Sequence, residues 1–136
     1  MPEDHKRPFI MRIQNDNDVV LARQEARKMA VQLGFSLLDQ TKIVTATSEL
    51  ARNTLVWGGG GTVSFENINT VNKKGLKITF EDNGPGIEDI ELAMKDGYTT
   101  GNGLGFGLGG AKRLVDEFHI ESTLGKGTKV TIIKFK

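Results

Sequence analysis

The chain has 136 residues, a formal net charge of +1 and 38% hydrophobic residues, which predicts one ordinary globular domain spanning residues 1–136. Cysteine is absent, which excludes disulfide frameworks, thiolate metal sites and a cysteine nucleophile, and fits a cytoplasmic protein. No apolar run reaches membrane-spanning length and no basic patch stands out, so we expect neither a membrane nor a nucleic acid as partner.

The first part of the chain predicts a tail, a strand and a helix. Residues 1–8 are polar and are expected to form a disordered tail, whereas Phe9 to Ile13 favours a short strand. Asn15 to Asp18 offer N-caps for a helix whose apolar residues recur at helical spacing up to Leu33. Gly34 is a natural C-cap for that helix.

The middle of the chain predicts a second helix and two strands. The helix begins near residues 38–40 and ends at the four glycines 58–61. Residues 62–67 and 76–81 alternate as strands, joined by a polar hairpin segment. The stretch 84–107 has little periodicity beyond one helical turn at 87–94, and a connection of that length is usually functional.

A third helix, from about residue 108 to residue 117, and two more strands, 118–123 and 128–135, complete the chain. Strands concentrate late in the sequence, and hairpins outnumber crossovers. This pattern predicts a two-layer α/β sandwich with a mixed, mostly antiparallel sheet and helices on one face.

Glu49 and Asn53 are the first pair of candidate site residues. They are four residues apart on the second helix, so both leave the same face beside its apolar stripe. A carboxylate can accept a proton, and an amide oxygen can ligate Mg²⁺ while phosphates supply other ligands. Alone, the pair also fits a solvated helix flank.

The segment "EDNGPG" (81–86) follows a strand, so Asp82 can project into a crevice beside the sheet edge. Its carboxylate is suited to accept a hydrogen bond from an exocyclic amino group such as that of adenine. Gly84 and Gly86 let the backbone approach a flat ring without a Cβ in the way. The alternative is an ordinary turn that closes the strand.

The stretch "GNGLGFGLGG" (101–110) leads into a helix, and free N–H groups together with the helix dipole favour phosphate there. Glycines 105, 107 and 110 match a dinucleotide fingerprint, but no apolar strand precedes them and Val130 supplies no acid for a ribose. A P-loop is excluded as well, because "GK" at 125–126 is followed by glycine. Residues 97–107 are predicted to form a mobile lid.

The fourth segment, "GKGT" (125–128), is a hairpin turn entering the last strand. Thr128 is placed to form a hydrogen bond with the same base, or with Asp82 through a water molecule. Read in isolation, the segment fits an ordinary hairpin.

In order and type, these four segments resemble the nucleotide-binding domain of the GHKL superfamily, which includes gyrase and the histidine kinases. "SELARN" (48–53) resembles its N box, and "EDNGPGI", "GLGFGL" and "GKGT" resemble its three glycine boxes. The length leaves no room for further domains, and neither histidine sits in a dimerisation helix. The chain is therefore most similar to the stand-alone serine/threonine kinases that phosphorylate STAS-domain proteins, and among them to the stressosome switch kinases.

This resemblance implies a role for each candidate residue. Asp82 recognises adenine of ATP with help from Thr128, and Asn53 holds Mg²⁺. Glu49 acts as the general base toward an incoming hydroxyl. The residues implied to cradle the phosphates through their backbone amides are Gly103, Gly105, Gly107 and Leu108.

The resemblance also implies partners: a STAS-domain antagonist and scaffold as substrates, and a downstream phosphatase or other effector. An anti-sigma factor shares the same boxes, so sequestration of a sigma factor stays open as the alternative function. A nucleotide-sensing adaptor without catalysis is disfavoured, because an adaptor needs no base such as Glu49.

Overall fold

The computed structural model describes residues 8–94 and 108–136, which form one five-stranded sheet and four helices. In chain order the elements are β1 (Phe9–Ile13), α1 (Asp16–Leu33), α2 (Leu37–Val56), β2 (Gly61–Asn69), β3 (Lys74–Asp82), α3 (Ile90–Ala93), α4 (Leu108–Arg113), β4 (Glu117–Thr123) and β5 (Gly127–Phe135). Residues 1–7 of the predicted tail and the predicted lid at 97–107 lie outside the described residues.

The strands lie in the order β1-β2-β3-β5-β4, and every described pairing is antiparallel. The predicted α/β fold class with a mostly antiparallel sheet is confirmed, although the sheet is not mixed, since no parallel pair is found among the described strands. In the register, Asp82 at the end of β3 pairs with Gly61 on one side and Thr128 on the other. The last residue of β3 therefore lies between the end of the α2–β2 loop and the β4–β5 hairpin.

One face of the sheet is buried, because apolar residues alternate along its strands with matched register. Phe80 is paired with Val63 on β2 and Val130 on β5, and all three are buried. The two long helices contribute their own buried stripes, which belong to the same core. From α1 these are Val19, Ala22, Ala26 and Ala30, and from α2 they are Ile43, Ala46, Leu50 and Ala51.

The two long helices begin and end where the sequence predicts. The Asn15 side chain accepts a hydrogen bond from the backbone N–H of Asp18 at 2.9 Å, and Gly34 ends α1 in the left-handed conformation with φ of 86°. Ser36 caps α2 in the same way, accepting from Asp39 N–H at 3.1 Å. Among the helices of residues 8–94 and 108–136, none is both long and apolar enough to cross a membrane.

The predicted third helix is wrong at its C-terminal end. It stops at Arg113, and Glu117 already belongs to β4. Asp116 explains the difference, because its backbone N–H donates to Ile133 O and its carboxylate accepts from Phe135 N–H at 2.6 Å. These bonds attach residue 116 to the neighbouring strand β5 and leave no helical turn for it to continue.

Candidate nucleotide-binding site

The predicted segments meet at a cleft between the C-terminal half of α2 and the adjacent end of the sheet. The cleft contains about 560 Å³ of space unoccupied by protein, counting its open mouth. Its lining is mainly apolar with a few polar groups, as in most small-molecule sites. The lining residues are Leu50, Asn53, Thr54, Trp57, Gly58, Phe80, Asp82, Pro85, Gly86, Ile87, Leu108, Thr128 and Val130.

The Asp82 carboxylate is held by two backbone donors at the polar end of this cleft. Its Oδ1 atom accepts from Gly84 N–H at 2.9 Å and from Thr128 N–H at 3.3 Å. Within the described residues, both hydrogen bonds of this carboxylate go to Oδ1. The Oδ2 atom therefore keeps its acceptor capacity for a ligand, while Oδ1 fixes the orientation of the group.

The glycines around Asp82 are required by contacts within the chain. A Cβ on Gly84 would lie 2.7 Å from Gly58 Cα, and a Cβ on Gly58 would lie 2.5 Å from Asp82 Oδ2. Gly86 has φ of 80°, and a Cβ there would lie 2.5 Å from Thr123 O. These contacts supply a different reason for the glycines from the one predicted. That Gly84 and Gly86 approach a base stays a prediction, although Gly86 does line the cleft.

The β4–β5 hairpin is attached to the loop that follows β3. Gly125 N–H donates to Pro85 O at 2.8 Å, and Ile87 N–H donates to Ser122 Oγ at 2.7 Å. The Ser122 hydroxyl also lies 2.8 Å from Thr128 Oγ1. These bonds join two segments that are far apart in the sequence into one wall of the cleft.

Asn53 and Glu49 occupy adjoining but different surfaces of α2. Asn53 lines the cleft, whereas Glu49 is exposed one turn earlier and lines a groove between α1 and α2. That groove also presents the cationic side chains of Arg23, Arg27 and Lys28. Within the described residues no hydrogen bond or ion pair engages the Glu49 carboxylate, so its oxygens keep their capacity to accept hydrogen bonds.

The phosphate end of the predicted site is described in part. Leu108, the first residue of α4, is buried and lines the cleft. Gly103, Gly105 and Gly107 lie outside the described residues. The basic residues Lys112 and Arg113 stand in the last turn of α4, away from its N-terminal end.

Several residues of the cleft and of the wall behind it were not predicted from the sequence. Gly58 belongs to a run of four glycines that signals only the end of a helix. Ser122 stands in a strand of alternating pattern in which nothing distinguishes it. Trp57 follows the apolar stripe of the second helix, which is typical of a core residue, yet it is half-buried and lines the cleft.

A family profile described as the histidine kinase-, DNA gyrase B- and HSP90-like ATPases matches residues 38–136. The matched range contains every segment that forms the cleft. The chain belongs to this ATPase family. The predicted membership of the GHKL superfamily is confirmed.

Similarity to individual proteins extends over almost the whole chain. A serine/threonine-protein kinase of Bacillus subtilis strain 168, RsbT, is 50% identical over 125 residues, covering 92% of this chain and 94% of the kinase. An anti-sigma F factor of Thermoanaerobacter sp. strain X514 is 35% identical, covering 93% of this chain and 90% of that protein. The predicted resemblance to the switch kinase and the predicted enzyme class are confirmed by the first of these relatives.

Solved structures support the fold. The RsbU and RsbW domains of a Mycobacterium tuberculosis protein match with a TM-score of 0.66 at 20% identity, covering 96% of this chain and 33% of that one. The catalytic domain of the histidine kinase ThkA matches with a TM-score of 0.56 at 14% identity, covering 93% of this chain and 95% of that domain.

Proposed function

We propose that this protein transfers the γ-phosphoryl group of ATP to a serine or threonine of a STAS-domain protein, and so acts as a partner-switching kinase in bacterial stress signalling. The observation that carries the proposal is the meeting of α2, the end of β3, the start of α4 and the β4–β5 hairpin at one apolar cleft. That cleft ends in a carboxylate with one oriented, unengaged oxygen.

The base-binding part of the proposal depends on Asp82. Its Oδ2 accepts a hydrogen bond from the exocyclic amino group of adenine, while apolar side chains such as Leu50, Phe80 and Ile87 cover the ring faces. Hydrogen bonds to a charged acceptor contribute about 1.5–3 kcal/mol, so Asp82 is expected to provide much of the base selectivity.

The donor set fits Mg²⁺ bound together with the nucleotide. Asn53 offers an amide oxygen on the cleft, and no group of three or more His, Cys, Asp or Glu side chains is placed to hold a metal unaided within residues 8–94 and 108–136. Asn53 would help to hold the ion, which would supply positive charge to offset that of the phosphates. Backbone amides near Leu108, and those of Gly103, Gly105 and Gly107, are proposed to hold the same phosphates.

Glu49 is proposed as the general base. The substrate hydroxyl approaches through the groove between α1 and α2, and its oxygen forms a bond to the γ-phosphorus. The bond from that phosphorus to the β–γ bridging oxygen breaks, ADP leaves, and the hydroxyl proton passes to the Glu49 carboxylate. Positioning of the reactants and electrostatic stabilisation provide most of the rate enhancement in such a reaction, so no covalent enzyme intermediate is required.

The proposed protein partners are a STAS-domain antagonist and scaffold as substrates, and a phosphatase or other effector bound after release. The 50% identity to a serine/threonine-protein kinase over nearly the full length of both chains supports catalysis as the main activity. Sequestration of a sigma factor is the second candidate, and the 35% identity to an anti-sigma F factor favours it.

The test is incubation of the purified protein with labelled ATP, Mg²⁺ and a STAS-domain protein, followed by mapping of the modified residue. The kinase proposal predicts label on a serine or threonine of the STAS protein, at a rate about 10²- to 10⁴-fold lower with Glu49→Gln. A stable complex with a sigma factor and no transfer to any STAS protein would favour the second candidate instead.

A further inference from the structure

Ser122 occupies a central position in the wall of the cleft, although it does not itself line the cleft. It is half-buried on β4, and its hydroxyl contacts three partners from two other segments. Ile87 N–H lies 2.7 Å from Ser122 Oγ, Thr128 Oγ1 lies 2.8 Å from it, and Gly127 O lies 3.2 Å from it.

One assignment of protons satisfies all three contacts. A serine hydroxyl has one donor and two acceptor lone pairs. The Ile87 amide can only donate, so it takes one lone pair, and the Gly127 carbonyl can only accept, so it takes the Ser122 proton. The second lone pair then accepts the proton of the Thr128 hydroxyl.

This assignment fixes what Thr128 offers to the cleft. Its hydroxyl proton points to Ser122, so the lone pairs of Thr128 Oγ1 are left for a ligand. The backbone N–H of the same residue orients Asp82, whose Oδ2 is also an acceptor. Both polar groups at this end of the cleft therefore accept hydrogen bonds, and neither offers a proton.

From this arrangement, and resting on the nucleotide binding proposed above, we propose that Ser122 is a positioning residue that determines base specificity. Because Ser122 accepts the hydrogen bond from the Thr128 hydroxyl, the polar end of the cleft offers a ligand only hydrogen-bond acceptors. A purine with an amino group at position 6 matches two acceptors, whereas a 6-oxo purine presents a carbonyl that finds no donor. Through its hydrogen bonds to Ile87 and Gly127, the same hydroxyl also fixes the loop after β3 relative to the β4–β5 hairpin.

The experiment compares binding of ATP and inosine triphosphate, which carries a carbonyl in place of the amino group, by isothermal titration of the full chain. In Ser122→Ala, the Thr128 proton is released and can donate to a 6-oxo group. We expect ATP affinity to fall about tenfold, since a hydrogen bond is lost on each of two loops. We also expect the ratio of ATP to inosine triphosphate affinity to fall at least about fivefold, while Ser122→Thr, which keeps the hydroxyl, retains the ratio.

Ser64→Ala is the matched control, because Ser64 is also a half-buried strand serine and does not line the cleft. It should leave the affinity ratio unchanged. If Ser122→Ala does not fold, Thr128→Val removes the other end of the hydrogen bond and should lower the same ratio.

The outcomes separate the two proposals. A wild-type chain that binds neither nucleotide would overturn the proposed function and this inference together. A wild-type chain that prefers ATP, with an unchanged ratio in Ser122→Ala or in Thr128→Val, would leave the proposed function in place and overturn the role of Ser122. A purely structural role would weaken both nucleotides equally and so leave the ratio where it was.

Discussion

Substitution of Gly58 by alanine is expected to misplace the carboxylate that recognises the base. The added Cβ would lie 2.3 Å from Asp82 Cγ and 2.5 Å from Asp82 Oδ2, well inside any real contact distance. Asp82 cannot move freely, because its Oδ1 is held by the N–H groups of Gly84 and Thr128. Either the carboxylate leaves these donors or the end of α2 shifts away from the sheet.

The magnitude follows from the bonds at risk. A hydrogen bond to a charged acceptor contributes about 1.5–3 kcal/mol. Loss of the hydrogen bond from the adenine amino group to Asp82 should raise the Kd for ATP about 10- to 150-fold. Loss of both bonds to Oδ1 should lower the free energy of unfolding by about 3 kcal/mol or more. Isothermal titration with ATP measures the first effect, and urea denaturation measures the second.

Gly59→Ala is the matched control from the same loop. Gly59 has φ of 74° but nothing within 4 Å of an added Cβ, whereas Gly58 has the clash without a positive φ. Alanine at Gly59 should therefore cost about 1–2 kcal/mol of stability from backbone strain and leave ATP affinity unchanged. An ATP affinity for Gly58→Ala within twofold of the wild type would refute the reasoning.

Three further substitutions test other parts of the account. Asp82→Asn should weaken ATP at least about tenfold, because one charged acceptor is lost; unchanged affinity by calorimetry would exclude Asp82 from base recognition. Glu49→Gln should slow phosphoryl transfer about 10²- to 10⁴-fold with ATP affinity retained, and transfer to a STAS protein at the wild-type rate would show that Glu49 is not the base. Ile78→Ala, at a fully buried position on β3, should lower the free energy of unfolding by about 2–5 kcal/mol in urea, and a loss below 1 kcal/mol would contradict its place in the core.

Local pattern predicted the helices and strands because each depends on residues close in sequence. The caps at Asn15 and Gly34 and the apolar spacing of α1 are examples, and the alternation along β3 is another. The same approach placed the end of the third helix too late. The two bonds that attach Asp116 to β5 join residues more than fifteen positions apart, which no local pattern reports.

The site was predictable where its residues are chemically distinctive. Three site residues have a distinctive local pattern: an amide on a helix (Asn53), an acid after a strand (Asp82) and a threonine after a glycine turn (Thr128). All three line one cleft. Gly58 and Ser122 did not stand out. Their importance lies in contacts with Asp82 and Ile87, which come from distant parts of the chain. The separation of Glu49 from the cleft was also unpredictable, because helical spacing puts it on the same face as Asn53 and does not show where α1 lies.

A crystal structure of the full chain with a non-hydrolysable ATP analogue and Mg²⁺ tests the central claim most directly. The account predicts adenine inside the cleft with its amino nitrogen about 3 Å from Asp82 Oδ2. It also predicts that the triphosphate points past Asn53 toward the start of α4. A nucleotide bound on another surface, or a base in the cleft whose amino group does not meet Asp82, would contradict it.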